Sequence, residues 1–138
     1  MRNWKLALMV AGGGVVGAAV LFAAGSGLAG VLFLVWFLGC AAVSSPLLVR
    51  SVSDAEARGD GRPIVYWRPG CPFCLRMRVR LGLTGRRANW VNIWSDPAGA
   101  AAVRAVAGGN ETVPTVVTAA GAHVNPPVAE VRDWLRAA

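Results

Sequence analysis

Apolar and polar residues divide this chain into two unlike parts. From Leu6 to Val49 no Asp, Glu, Lys or Arg interrupts an almost continuous apolar run. A membrane-crossing helix needs roughly 20 apolar residues, so the run is too long for one span and suits two. Leu6–Ala24 is the first expected span, Gly25-Ser26-Gly27 a flexible reversal, and Leu28–Val49 the second. Pro46 is placed to kink or end that second span near an interface. Trp4 suits an interfacial anchor. Gly13, Gly14 and Gly17 offer the close approach that helices need when packing in lipid.

Beyond the run, periods and turn residues change at short intervals. Arg50–Gly61 mixes charges with Ser51, Ser53 and two glycines and reads as a linker, with room for a short helix through Asp54–Arg58. Pro63–Trp67 is a compact β-branched and aromatic strand, ended by the turn Arg68-Pro69-Gly70. Cys71 then opens a helix, with Pro72 at a first-turn position where its missing N–H costs nothing. Leu75 to Leu81 alternates strictly, which is the period of a strand. The helix reading is preferred here because Cys-Pro-Phe-Cys fits a helix start and long arginines can lie along one. Ala88–Trp94 is a second strand, and Asp96-Pro97 starts a helix that runs to Ala107 and stops at Gly108-Gly109. Thr112–Thr118 is a third strand, entered through Pro114, and Ala122–Asn125 a short fourth. Asn125-Pro126-Pro127 starts a last helix with an apolar stripe of Val128, Val131 and Leu135. The order β-α-β-α-β-β-α predicts an α/β sandwich on a four-stranded mixed sheet, its first two strands parallel through a right-handed crossover. The expected organisation is a two-helix membrane anchor over residues 1–49, a linker over 50–61 and a small α/β domain over 62–138.

Charge refines that division. The chain holds 14 basic and 7 acidic residues, a net charge of +7. From Arg62 onward ten arginines stand against four acids, so the excess lies on the α/β part. Its plain reading is a solvated basic face near lipid headgroups. No aromatic-interleaved basic stripe points to nucleic acid, and none is expected as a partner. Arg2 and Lys5 precede the apolar run, Arg50, Arg58 and Arg62 follow it, and the reversal carries no charge. Positive charge at both ends predicts a two-pass anchor with the domain in the cytoplasm. The rival reading is export, with the first 24 residues as a signal peptide, or with Phe37-Leu38-Gly39-Cys40 as a faint lipoprotein box. The second apolar run argues against simple secretion, and Cys40 reads as a small packing residue.

The candidate chemistry is a single Cys-x-x-Cys. Disulfide exchange needs a thiolate. A cysteine at a helix N-terminus meets unpaired backbone N–H groups and the positive end of the helix dipole, both of which favour the anion. Cys71 has that place, with Arg68 as a nearby cation. Cys74 lies one turn along on the same face, where it can attack a mixed disulfide on Cys71. Half of a metal or iron–sulfur site shared between two chains is a second reading, and two chance buried cysteines a third. No second Cys-x-x-Cys exists and His123 is the only histidine. Strand, turn and helix around the pair favour redox chemistry. His123 reads as a surface residue, and Trp67, Trp90, Trp94 and Trp134 as core.

Arg68-Pro69-Gly70-Cys71-Pro72-Phe73-Cys74 resembles the glutaredoxin active site, with Phe73 where that family usually has Tyr. Thr112-Val113-Pro114 resembles its cis-proline loop. The resemblance implies a thioredoxin-like fold, a cis Val113–Pro114 bond and a Val113 backbone that pairs with a low-molecular-weight thiol beside Cys71. Gly108 to Val116, with Asn125-Pro126 later, is closer to actinobacterial mycoredoxins. Typical glutaredoxins have a Gly-Gly-x-Asp type turn that binds glutathione where this chain has Asn125-Pro126-Pro127. That departure favours mycothiol as co-substrate over glutathione, with no bound cofactor. By position, Cys71 is then the nucleophile and Cys74 the resolving thiol. Arg68, Phe73, Thr112, Val113, Pro114 and Asn125 line the thiol cleft. Mixed-disulfide proteins, the thiol and the lipid bilayer are the partners implied.

Overall fold

The computed structural model describes residues 5–44 and 51–138, which form two compact units divided after Arg50. Arg2, Trp4, Pro46 and Arg50 lie outside the described residues.

In the first unit, α1 (Lys5–Ala23) and α2 (Gly27–Ser44) are apolar on all sides and pack against each other. Gly25 at φ 77° ends α1, and Ser26 N–H returns to the Leu21 carbonyl at 2.9 Å. This is the left-handed glycine stop that helices favour. Phe33 and Phe37 of α2 stack at 4.4 Å and cover Gly14 and Gly17, where any side chain would overlap those rings. Gly13 faces open space and takes no part in that contact. Among the described residues no helix is long and apolar enough to cross a membrane. α1 has 19 residues, as many as the expected span Leu6–Ala24; α2 has 18, and the end of the expected span Leu28–Val49 lies outside the described residues. The spanning hairpin is thus an unsupported part of the expected architecture.

The second unit is a mixed four-stranded sheet with helices on both faces, compatible with a thioredoxin-like fold. Its strands are β1 (Ile64–Trp67), β2 (Asn89–Asn92), β3 (Thr115–Thr118) and β4 (Gly121–Val124), in spatial order β2-β1-β3-β4. β1 runs parallel to β2 and antiparallel to β3, and β3 pairs antiparallel with β4. Register separates the faces. Tyr66 opposes Val91 on one, while Val65 opposes Trp90 and Trp67 opposes Asn92 on the other. The Tyr66 face receives α5 (Pro97–Val106), whose Gly99 lies against Val91 and Tyr66. The Trp67 face receives α4 (Pro72–Leu81), which packs with α6 (Val128–Ala137). Cys74, Met77 and Leu81 are the buried positions of α4, at helical spacing. The strand-like alternation of Leu75 and Val79 falls on exposed positions.

The expected linker is structured. Ser53 caps α3 (Asp54–Gly59) through a reciprocal capping box with Glu56. Ser51 bridges to Trp90, Ala57 is buried, and Asp54 N–H donates to Asp96 Oδ2 at 2.7 Å. Residues 51–61 therefore belong to the α/β unit, which begins at Ser51 and not at Arg62. A 3-10 helix over Gly82–Arg87, absent from the sequence reading, carries the chain from α4 to β2.

Candidate active site

β1 ends at Trp67, and Gly70 at φ 77° turns the chain so that Cys71 becomes the N-cap of α4. Pro72 follows at the first helical position, where no N–H is needed. The Cys71 Sγ accepts a hydrogen bond from Cys74 N–H at 3.3 Å. An orphan donor of the helix start is thus spent on sulfur. Both cysteines are buried, Cys71 at 8% and Cys74 at 3% of residue surface exposed. Both are free thiols.

A second loop meets the first. The Val113–Pro114 peptide is cis, and the Val113 carbonyl accepts from Cys71 Sγ at 3.5 Å. Thr115 Oγ1 donates to the Thr112 carbonyl at 2.8 Å, and Asn125 N–H donates to the Pro114 carbonyl at 2.8 Å. The second bond ties the end of β4 to the cis-proline loop and holds Asn125 at φ 49°. Sulfur at a helix start, facing a cis-proline carbonyl, is a site for exchanging disulfides.

Residues 64–124 match the glutaredoxin family model.

No curated protein matches the chain. The family match supports thiol–disulfide oxidoreductase function in general. The structure brings Cys71, Cys74, Thr112, Val113, Pro114 and Asn125 into one neighbourhood through these bonds. Phe73 is 59% exposed beside the cysteines, free to meet a ligand. Arg68 joins the site through its backbone, its carbonyl accepting from Cys71 N–H at 3.4 Å. Its side chain makes no hydrogen bond or ion pair among the described residues.

Cys74 differs from Cys71. Burial, together with its hydrogen bond and charge relation to Cys71, pushes the Cys74 thiol well up, against the Arg68 backbone and, least of all, the Arg78 charge. Arg78, which the sequence reading did not single out, packs on the sheet behind the site. Its guanidinium carbon lies 4.5 Å from the ring centroids of both Trp67 and Trp90. Trp67 and Trp90 are buried as expected, but Trp94 is 58% exposed. It follows β2, after the strand's core register has ended. His123 is not a free surface residue: its ring stacks on Trp134 at 4.2 Å. Among the described residues no cluster of three or more His, Cys, Asp or Glu is placed to hold a metal ion.

Proposed function

We propose that this protein reduces mixed disulfides between proteins and a low-molecular-weight thiol, with Cys71 as nucleophile and Cys74 as resolving thiol. The observation that carries this reading is the Cys71 sulfur, held by the α4 N-terminus and placed 3.5 Å from the Val113 carbonyl of the cis-proline loop.

Cys71 thiolate attacks the thiol-side sulfur of a protein mixed disulfide. The protein sulfur leaves as thiolate and takes a proton, and Cys71 holds the small thiol in a new mixed disulfide. A second small thiol then attacks the small-thiol sulfur, forming their disulfide and freeing Cys71 as thiolate, or Cys74 attacks Cys71 Sγ, forming the Cys71–Cys74 disulfide and releasing the small thiol as thiolate. Two electrons pass from thiols to the original disulfide in each cycle. Arg68 steadies the thiolate or a ligand carboxylate. Phe73, Thr112, Val113 and Asn125 line the cleft for the small thiol. Asn125-Pro126-Pro127 replaces the acidic glutathione-binding turn, which favours mycothiol.

We further propose that the helical pair α1–α2 holds the domain at a bilayer, with the domain on the cytoplasmic side. Leu8, Met9, Val16, Leu28, Leu32, Val35 and Trp36 turn outward and exposed on these helices. Apolar surface of that extent marks contact with lipid or protein. Charge flanking the run, with none in the reversal, supports the orientation.

Turnover of the full chain with mycothiol and glutathione mixed disulfides tests the enzymatic reading. Cys71→Ser is expected to abolish thiol release and Cys74→Ser to keep a monothiol activity, with mycothiol the better substrate. Full activity in Cys71→Ser overturns the mechanism, and a preference for glutathione overturns the co-substrate.

A further inference from the structure

Between Arg62 and Asp96 the chain carries no acidic residue, while α4 and the 3-10 helix after it hold Arg76, Arg78, Arg80, Arg86 and Arg87. Cys74, Met77 and Leu81 are the buried side of α4, and Arg78 lies over Trp67 and Trp90. Leu75, Arg76, Val79 and Arg80 form its outer side, all exposed. Residues four apart on a helix are neighbours, so that side divides into an apolar stripe of Leu75 and Val79 and a basic stripe of Arg76 and Arg80. Leu83, just past the helix end, adds a third apolar side chain. Val79 is 71% and Leu83 75% exposed. The basic stripe borders α6, whose Arg132 donates from Nη2 to the Arg80 carbonyl at 2.7 Å. Arg87 is held by the Leu135 and Arg136 carbonyls of α6. Arg76, Arg80 and Arg86 make no side-chain hydrogen bond or ion pair among the described residues, and neither Glu130 nor Asp133 of α6 pairs with them.

Neither stripe adds to the core of the domain. Bare apolar side chains beside unpaired cations are what an interfacial helix uses: the apolar groups enter the edge of the acyl region and the arginines reach headgroup phosphates. An acidic protein offers the charge as well, but the chain itself favours lipid. Six residues, 45–50, join α2 to the α/β unit at Ser51, a length of chain that reaches at most about 25 Å. With α1–α2 in a bilayer, so short a tether keeps headgroups at high effective concentration around the domain.

We propose that the outer face of α4, with Leu75, Arg76, Val79, Arg80 and Leu83, docks on an anionic lipid surface. The inference rests on the bilayer reading of α1–α2 given above. Cys71 caps the same helix, which is ten residues and about 15 Å long. A helix lying along the surface therefore holds that sulfur at headgroup level.

The test uses the full chain in vesicles of phosphatidylcholine, alone or mixed with phosphatidylglycerol. Photoreactive benzoylphenylalanine replaces Val79, or Ala105 on α5, which covers the other face of the sheet. Irradiation followed by mass spectrometry counts protein–lipid adducts. In the mixed vesicles the reporter at Val79 is expected to gain phospholipid and the reporter at Ala105 little. Arg76→Gln together with Arg80→Gln weakens docking about 25-fold, at about fivefold for each arginine beside an anionic surface, and the adduct yield at Val79 falls severalfold. Phosphatidylcholine alone gives a similar fall. Equal yields at Val79 and Ala105 overturn the inference, as do yields indifferent to the two arginines or to phosphatidylglycerol, or adducts to protein in place of lipid. A chain that floats with the vesicles and gains no lipid at Val79 removes this inference alone. A chain that does not float removes the bilayer reading, and this inference with it.

Discussion

Cys71 and Cys74 sit three residues apart and meet different surroundings. The Cys71 sulfur accepts a backbone N–H, while burial and its relation to Cys71 push the Cys74 thiol up; both residues are buried. Elsewhere a buried acid shows the same balance of burial against partners. Burial raises the Asp54 carboxyl, but hydrogen bonds from Arg58 Nε at 2.8 Å and Tyr66 Oη at 2.5 Å outweigh it and hold Asp54 below the usual value. The same contact and burial push the Tyr66 hydroxyl up. A carboxyl with a depressed folded value stabilises the fold above its unfolded value and loses that contribution as pH falls through the folded one. Asp54→Asn is expected to cost about 1–3 kcal/mol at neutral pH, because it leaves the buried Tyr66 hydroxyl and the Arg58 guanidinium without their anion. Chemical denaturation should also show a shallower loss of stability below about pH 4. Equal stability of the two proteins at pH 7 contradicts this role.

At the scale of elements, much of the domain was legible because its punctuation is chemical. Pro72 after Cys71, Asp96 before Pro97 and Gly108-Gly109 after the fifth helix each mark a helix end, and the structure puts caps or stops there. The cis peptide before Pro114 was legible only through the resemblance that Thr112-Val113-Pro114 carries. Three features escaped for physical reasons. Ser53-Asp54-Ala55-Glu56 is a capping box in plain view, but α3 is too short for an apolar period, so its charges read as a linker. The 3-10 helix Gly82–Arg87 has neither period nor clean caps. Arg78 was lost among four neighbouring arginines, since nothing in a linear pattern says that Trp67 and Trp90 lie side by side on one face of the sheet. Trp94 was misplaced by the opposite error, an aromatic residue assigned to the core although it lies past the end of β2.

For the whole molecule, the two units answer different questions. The α/β unit, whose residues 64–124 match the glutaredoxin family model, carries the chemistry we propose, and α1–α2 the place where we propose that it occurs. The full chain is expected to float with lipid vesicles, whereas a chain lacking residues 1–50 should stay in the dense fraction. A full chain that stays dense contradicts the membrane reading and leaves the redox chemistry standing. The most direct test of that chemistry traps its intermediate. The Cys74→Ser chain, given a mycothiol mixed disulfide, should gain one mycothiol, and peptide mapping by mass spectrometry should place it on Cys71. An adduct on Cys40, or no adduct with Cys71 unmodified, contradicts the account.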